Sequence, residues 1–150
     1  MARLLLAERH PTLRLLISTL TTRAGHEIDA VETGEDVLER LNRADYHCLM
    51  IGAPILLGRR PKTLLQHIED EAVEVSPRIV VLTARTLDRE LLVRAARLRV
   101  CAIVSQPFDN DELLQTIDAC ARNERPPRRF VGFDQAGLHH VFGGDILADW

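Results

Sequence analysis

Five short runs of β-branched and aliphatic residues, each followed by a stretch whose apolar side chains recur at helical spacing, restrict this chain to very few architectures. The runs cover residues 4–6, 27–31, 48–51, 79–83 and 100–104, and most read as strands buried on both faces. Leu13, Leu16, Ile17, Leu20 and Ala24 follow Pro11 on one helical face, and Gly25 supplies a stop. Thr33 and Asp36 have capping-box form before Val37, Leu38 and Leu41. Leu64, Leu65 and Ile68 mark a shorter third helix, and Leu87, Leu91, Leu92, Ala95 and Leu98 a fourth. Asp109 or Asn110 caps a fifth that carries Leu113, Leu114, Ile117 and Ala121. Single strands alternating with single helices require right-handed crossovers, so residues 2–122 are expected to form a doubly wound α/β domain with a five-stranded parallel sheet. Chemistry in such sheets sits beyond the carboxyl ends of the strands. Those ends are residues 7–10, 52–54, 83–84 and 105–108.

Composition narrows the classes of partner. The 150 residues are 46% hydrophobic and 27% charged, which suits one folded domain with an appendage. Nineteen basic and 22 acidic residues nearly cancel, so no single-sign field points to nucleic acid or an anionic membrane. Lys62 is the only lysine. Cys48, Cys101 and Cys120 have neither metal-type spacing nor an even count, and the expectation is three buried free thiols in a reducing compartment. No run approaches the roughly 18 apolar residues of a membrane span or has the shape of a signal peptide, which points to the cytoplasm.

The composition shifts after Arg122. Residues 125–129 read R-P-P-R-R, a linker in form, and Phe130, Phe133, Phe142 and Trp150 follow. Four of the six aromatic residues thus lie in the last 21 positions, too many for a solvated tail, so residues 123–150 are read as an extension that packs on its own domain by default.

The strand ends carry a resemblance. Leu82-Thr83-Ala84 closes one buried strand, Ser105-Gln106-Pro107-Phe108 closes the next, and Asp109-x-Asp111-Glu112-Leu113-Leu114 opens the last helix. With Leu4-Leu5-Leu6-Ala7-Glu8-Arg9-His10-Pro11-x-x-Arg14 at the start, the order and separation of these motifs over residues 2–122 resemble the response-regulator receiver family of two-component signalling. The resemblance implies the flavodoxin-like (βα)₅ receiver fold. It also implies a pocket in which two acids on the first strand and an Asp on the third hold Mg²⁺. The third-strand Asp takes a phosphoryl group, while a Thr or Ser and a Lys steady the added dianion.

Position by position, this chain departs from that pattern. The first acid is Glu8, and the second is Arg9, a cation where a metal ligand should stand. At contact distance like charges repel by about 4 kcal/mol per charge product at an effective dielectric near 20, so Mg²⁺ binding is expected to be lost or weak and no cofactor is assigned. Arg9 is expected to fold over the old metal site and pair with Glu8. The acceptor position falls on Gly52, or on Met50 if Pro54 is the anchor, and neither can be phosphorylated. Asp45 precedes the strand and lies roughly 20 Å away at the opposite sheet end. Gln106 replaces the lysine, Ile103 replaces the aromatic switch residue, and Thr83 and Pro107 remain, with a cis bond before the proline implied by the resemblance.

The expected function is therefore that of a pseudo-receiver, not an enzyme, acting through protein partners. One alternative is a phosphorylatable regulator using an unusual acceptor such as Glu8. Another is weak, salt-sensitive nucleic-acid binding through the arginines between Arg122 and Arg129, which the nearby Glu124 and the lack of a recognition helix disfavour. Arg85, Arg89, Arg94 and Arg97 on the fourth helix and Asp109, Asp111, Glu112 and Asp118 on the fifth form a candidate homodimer face, by analogy with receivers.

Overall fold

The computed structural model describes residues 2–57, 78–83, 89–98 and 100–133. Its elements are β1 (Arg3–Ala7), α1 (Pro11–Arg23), β2 (Glu27–Val31), α2 (Gly34–Arg43), β3 (Cys48–Gly52), α3 (Ala53–Leu56), β4 (Arg78–Thr83), α4 (Arg89–Arg97), β5 (Ala102–Ser105), α5 (Asn110–Ala121) and β6 (Phe130–Val131). The expected helix at 64–68, together with Arg85, Phe142 and Trp150, lies outside the described residues.

The local signals act as their chemistry dictates. Pro11 opens α1, where a missing N–H costs nothing, and Gly25 leaves it at φ +93°. Thr33 Oγ1 accepts from the Asp36 N–H at 3.1 Å, and Asp109 Oδ1 accepts from the N–H groups of Asp111 and Glu112, settling the cap of α5 on Asp109.

All strands run parallel in the order β2-β1-β3-β4-β5-β6. The sheet is doubly wound, as the alternation requires. One face packs Leu5, Leu49, Ile51, Val81 and Ile103 against Val37 of α2, Leu56 of α3 and Leu91, Leu92 and Ala95 of α4. The other packs Leu4, Leu6, Met50, Val80 and Val104 against Leu13 and Ile17 of α1 and Leu113 and Ile117 of α5. The residues of β1, β3 and β5 alternate between these two cores, which is the period of a strand buried on both sides.

Two expectations are corrected. The sheet has six strands, not five, because Phe130 and Val131 extend it beyond β5 with Ile103 opposite Phe130 and Val104 opposite Val131. A two-residue strand is too short to show periodicity, and the R-P-P-R-R segment before it is the connection that delivers it. Nor are all three cysteines free: Cys101 and Cys120 form a disulfide with Cα atoms 6.6 Å apart, tying the residue before β5 to the last turn of α5. This pairing is tertiary. It arises because α5 crosses the face on which Cys101 lies, and a separation of 19 residues has no motif to announce it. Cys48 is free and fully buried, and burial pushes its thiol up to about 12, so it stays protonated and inert.

Candidate functional site

Four strand ends meet at one rim of the sheet. β1 delivers Glu8, β3 ends on Gly52, and β4 and β5 end on Thr83 and Ser105, which are paired in register. The Glu8 N–H donates to Val31 O at 3.1 Å, which extends the β1–β2 ladder by one bond and fixes the residue's direction. Its side chain turns inward and is 8% exposed. Glu8 Oε1 accepts from the His10 N–H at 3.1 Å.

The other oxygen defines the site. A Cβ built on Gly52 would stand 2.8 Å from Glu8 Oε2 and 3.6 Å from Ala7 O. The carboxylate of Glu8 thus lies over the Cα of Gly52, in the space where any side chain at position 52 would begin. Glycine's lack of a Cβ is what allows the contact. Met50 is fully buried in the core on the α1 and α5 side, so of the two residues considered for this place it is Gly52 that meets Glu8.

Arg9 does not behave as expected. It is exposed, and among the described residues it makes no ion pair with Glu8. Arg9 stands at the bend that follows β1, where the chain has already left the strand. The cation that does reach this corner is Arg14, one turn into α1. Its Nη1 donates to the Glu8 carbonyl at 2.9 Å and its Nη2 pairs with Glu32 Oε1 at 3.0 Å. The bidentate reach of a guanidinium from a helix was the signal missed in the sequence, although Arg14 belongs to the opening motif.

On the far side of the crevice, Thr83 is half-buried and its carbonyl accepts from the Gln106 N–H at 2.9 Å. The Gln106–Pro107 peptide bond is cis. Ser105 is buried, and its hydroxyl donates to the Gln106 carbonyl at 3.3 Å. Ile103 is fully buried within the α4-side core, beside Phe130.

A hard divalent cation needs several oxygen donors with negative charge. Among the described residues this crevice offers one carboxylate, already engaged by a backbone N–H, and no group of three His, Cys, Asp or Glu side chains converges. The described donors alone do not make up such a set for Mg²⁺.

Four of the eight charges of the candidate dimer face are engaged within the chain. Arg94 pairs with Glu90 at 3.1 Å, Glu112 with Arg128 at 3.6 Å, and Asp118 Oδ1 with His26 Nε2 at 2.5 Å. Because His26 Nδ1 accepts from the Ala2 N–H, the ring proton sits on Nε2 and is donated to Asp118. Asp109 caps α5, while Arg89, Arg97 and Asp111 are exposed.

Comparison with known proteins was made on this geometry. No family model matches the chain, and no curated protein does. Solved structures do. The receiver domain of an HD domain-containing protein from Pseudomonas fluorescens Pf-5 superposes with a TM-score of 0.70 at 19% identity, over 81% of this chain and 88% of that one. A response regulator receiver protein from Burkholderia phymatum gives 0.65 at 14% identity over 85% and 100% of the two chains. A chemotaxis response regulator of Vibrio cholerae gives 0.65 at 17% over 80% and 98%. The chain has the receiver fold. At these identities the likeness establishes the fold alone, and the site must be argued from its own residues.

Proposed function

We propose that this protein is a pseudo-receiver: a domain of two-component signalling that keeps the receiver scaffold, takes up no phosphoryl group and acts by contact with other proteins. The carrying observation is the seat of Glu8 Oε2, 2.8 Å from where a side chain at Gly52 would start. An acceptor is missing from that place, and any side chain there would have to displace the Glu8 carboxylate. Glu8 is a poor substitute acceptor, since it is nearly buried, bonded to the His10 N–H and packed on Gly52, with no neighbouring set of carboxylates to hold a cation. Gln106 brings no charge to steady a dianion.

The arginine-rich connection gives little support to nucleic-acid binding. Arg122 lies 3.7 Å from Glu124, Arg128 pairs with Glu112, and Arg129 is half-buried, its guanidinium brought below its usual value by burial and by Arg125. Four of the eight dimer-face charges are engaged in cis, which favours a different protein over a second copy as the partner. We place the protein in the cytoplasm with other two-component modules; among the described residues no helix is long and apolar enough to cross a membrane. The disulfide removes the cysteine argument for that compartment, and alkylation under denaturing conditions at lysis counts the free thiols: one modified cysteine is expected with the disulfide formed, three where it is reduced.

Incubation with acetyl phosphate and Mg²⁺ followed by intact-mass measurement tests the central reading. No adduct is expected, and a stable gain of one phosphoryl mass on a residue of the crevice would overturn it. Gly52→Asp sharpens the same point. The new carboxylate meets Glu8 in a nearly buried space, so the variant should lose about 2 kcal/mol at neutral pH without gaining phosphoryl uptake.

A further inference from the structure

The edge of β5 holds a strand that the five βα units do not require. α5 has already returned the chain to the amino end of the sheet, and residues 122–129 then lead back along its outside to β6. What sits in that edge is defined by three sets of contacts. The Ile103 N–H donates to Arg129 O at 2.7 Å, a bond that reads backbone only. Phe130 inserts on the α4 side, in one cluster with Leu91, Leu92 and Ala95, and meets Phe133 edge-on with ring centroids 6.2 Å apart, while Val131 lies on the opposite side with Val104 and Cys120. Gly132, at φ +84°, passes so close to the turn after β5 that a Cβ would stand 2.5 Å from Ser105 O and 3.3 Å from Pro107 O. The edge therefore accepts aromatic, β-branched, glycine and aromatic residues in succession, and rejects a side chain at the third.

The hold on this segment is short. The ladder is two residues long, and the connection leading to it is largely exposed. It includes Pro126 and Pro127, which donate no backbone N–H, and beyond the backbone bonds of Arg122, Asn123 and Glu124 that close α5 it meets that helix through an ion pair whose Arg128 side chain is 61% exposed and so screened by salt. A strand edge released from such a hold presents unpaired backbone groups between two apolar slots, which is the form of surface that captures an extended segment.

We propose that the β5 edge is a strand-docking surface that residues 129–133 keep closed in cis. Its partner is a protein presenting an extended segment of the same form, aromatic, β-branched, glycine, aromatic, which adds in parallel and takes the place of β6. The proposal goes beyond the chemical silence of the crevice and does not depend on it, because strand docking and phosphoryl uptake have separate readouts.

The probe is a fluorescein-labelled peptide with the sequence of residues 125–133, titrated onto the full chain in three forms. These are the native protein, Gly132→Val, which evicts the segment by collision with Ser105 O, and Phe130→Ala/Val131→Ala, which removes its anchors without any collision and serves if the first variant does not fold. Both variants should lose hydrogen-exchange protection at the Ile103 amide while α1 stays protected, and should bind the peptide at least about tenfold more tightly than the native chain, whose own strand competes. A peptide carrying valine in place of the glycine should bind none of the three. Equal affinity for all three forms, no binding to variants whose Ile103 amide has become labile, or unchanged Ile103 protection in both variants would each overturn the proposal.

Discussion

At its β2 edge the sheet ends on a strand whose residues are mostly exposed or half-buried, held by a polar cluster; at the other side β5 is buried along its whole length and a further strand covers it. The β2 cluster joins three strands' worth of sequence. The Tyr46 hydroxyl donates to Asp29 Oδ2 at 2.6 Å, Arg3 Nη2 donates to the same oxygen at 3.3 Å, and the Arg3 guanidinium lies 5.2 Å over the Tyr46 ring. A charged edge discourages pairing with foreign strands by itself. An apolar edge has no such protection, and here the chain covers it with Phe130 and Val131. The contrast teaches where a partner can act: a strand can be displaced by another strand, whereas a carboxylate at the edge offers nothing to replace.

If that contrast is right, the two edges respond differently to loss of one side chain. Phe130→Ala removes a ring that is 5% exposed and should cost about 3–5 kcal/mol, the usual range for emptying a buried aromatic site. Chemical denaturation at pH 7 measures it. A cost under about 1 kcal/mol would mean that the β6 cover contributes little and the edge stands open in solution.

The disulfide gives the next largest effect and belongs to the same side. Cys101 and Cys120 enclose 19 residues of separation that contain β5 and α5, so reduction frees the unfolded chain and should lower stability by about 3 kcal/mol on the loop-entropy account. For a chain of this length that corresponds to a fall in Tm of about 10 °C. Calorimetry with and without a phosphine reductant reads it, with Cys120→Ser as the variant that should lose the response. A Tm indifferent to reductant would show that α5 and β5 are held by packing alone.

What was legible in the sequence follows the range of each signal. Five strands and the helices α1, α2, α4 and α5 announce themselves because their periodicity is local, as in residues 27–31 or around Leu13, Ile17 and Leu20. The seats of Thr33 and Asp109 were legible for the same reason, since a cap and the amides it binds lie within three residues. β6 was not, because two residues carry no period and its pairing with Ile103 is decided by contacts between distant parts of the chain. The bond between Cys101 and Cys120 escaped for the same cause. Glu8 could be picked out by position, and Gly52 by the absence of an acceptor, but not that one fills the room left by the other, which depends on a side-chain direction. The reading of Arg9 failed because the chain bends at that residue, just past β1, and a bend carries no periodic signal.

The smallest effect makes the comparison sharpest, because it depends on pH. The Tyr46 hydrogen bond, and after it Arg3, hold the Asp29 carboxyl below its ordinary value of 3.8, against the opposing pull of burial. A carboxyl depressed on folding contributes stability that is present above its unfolded pKa and is lost as pH falls through the folded one. Tyr46 is displaced the other way, above 10.0, by burial and then by Asp29. The unfolded phenol ionises first, so stability also falls as pH rises above that value. Tyr46→Phe should therefore cost about 1–2 kcal/mol near pH 7, the worth of a hydrogen bond to a charged acceptor, and the gap to the native chain should narrow below about pH 4 and again above about pH 10. Phe130→Ala, by contrast, removes no titrating group, and its cost should stay level across the same range. Urea midpoints taken at pH 3, 7 and 10.5 decide it, and two parallel pH profiles would mean that the β2 edge is held by the tyrosine ring and not by the charge it meets.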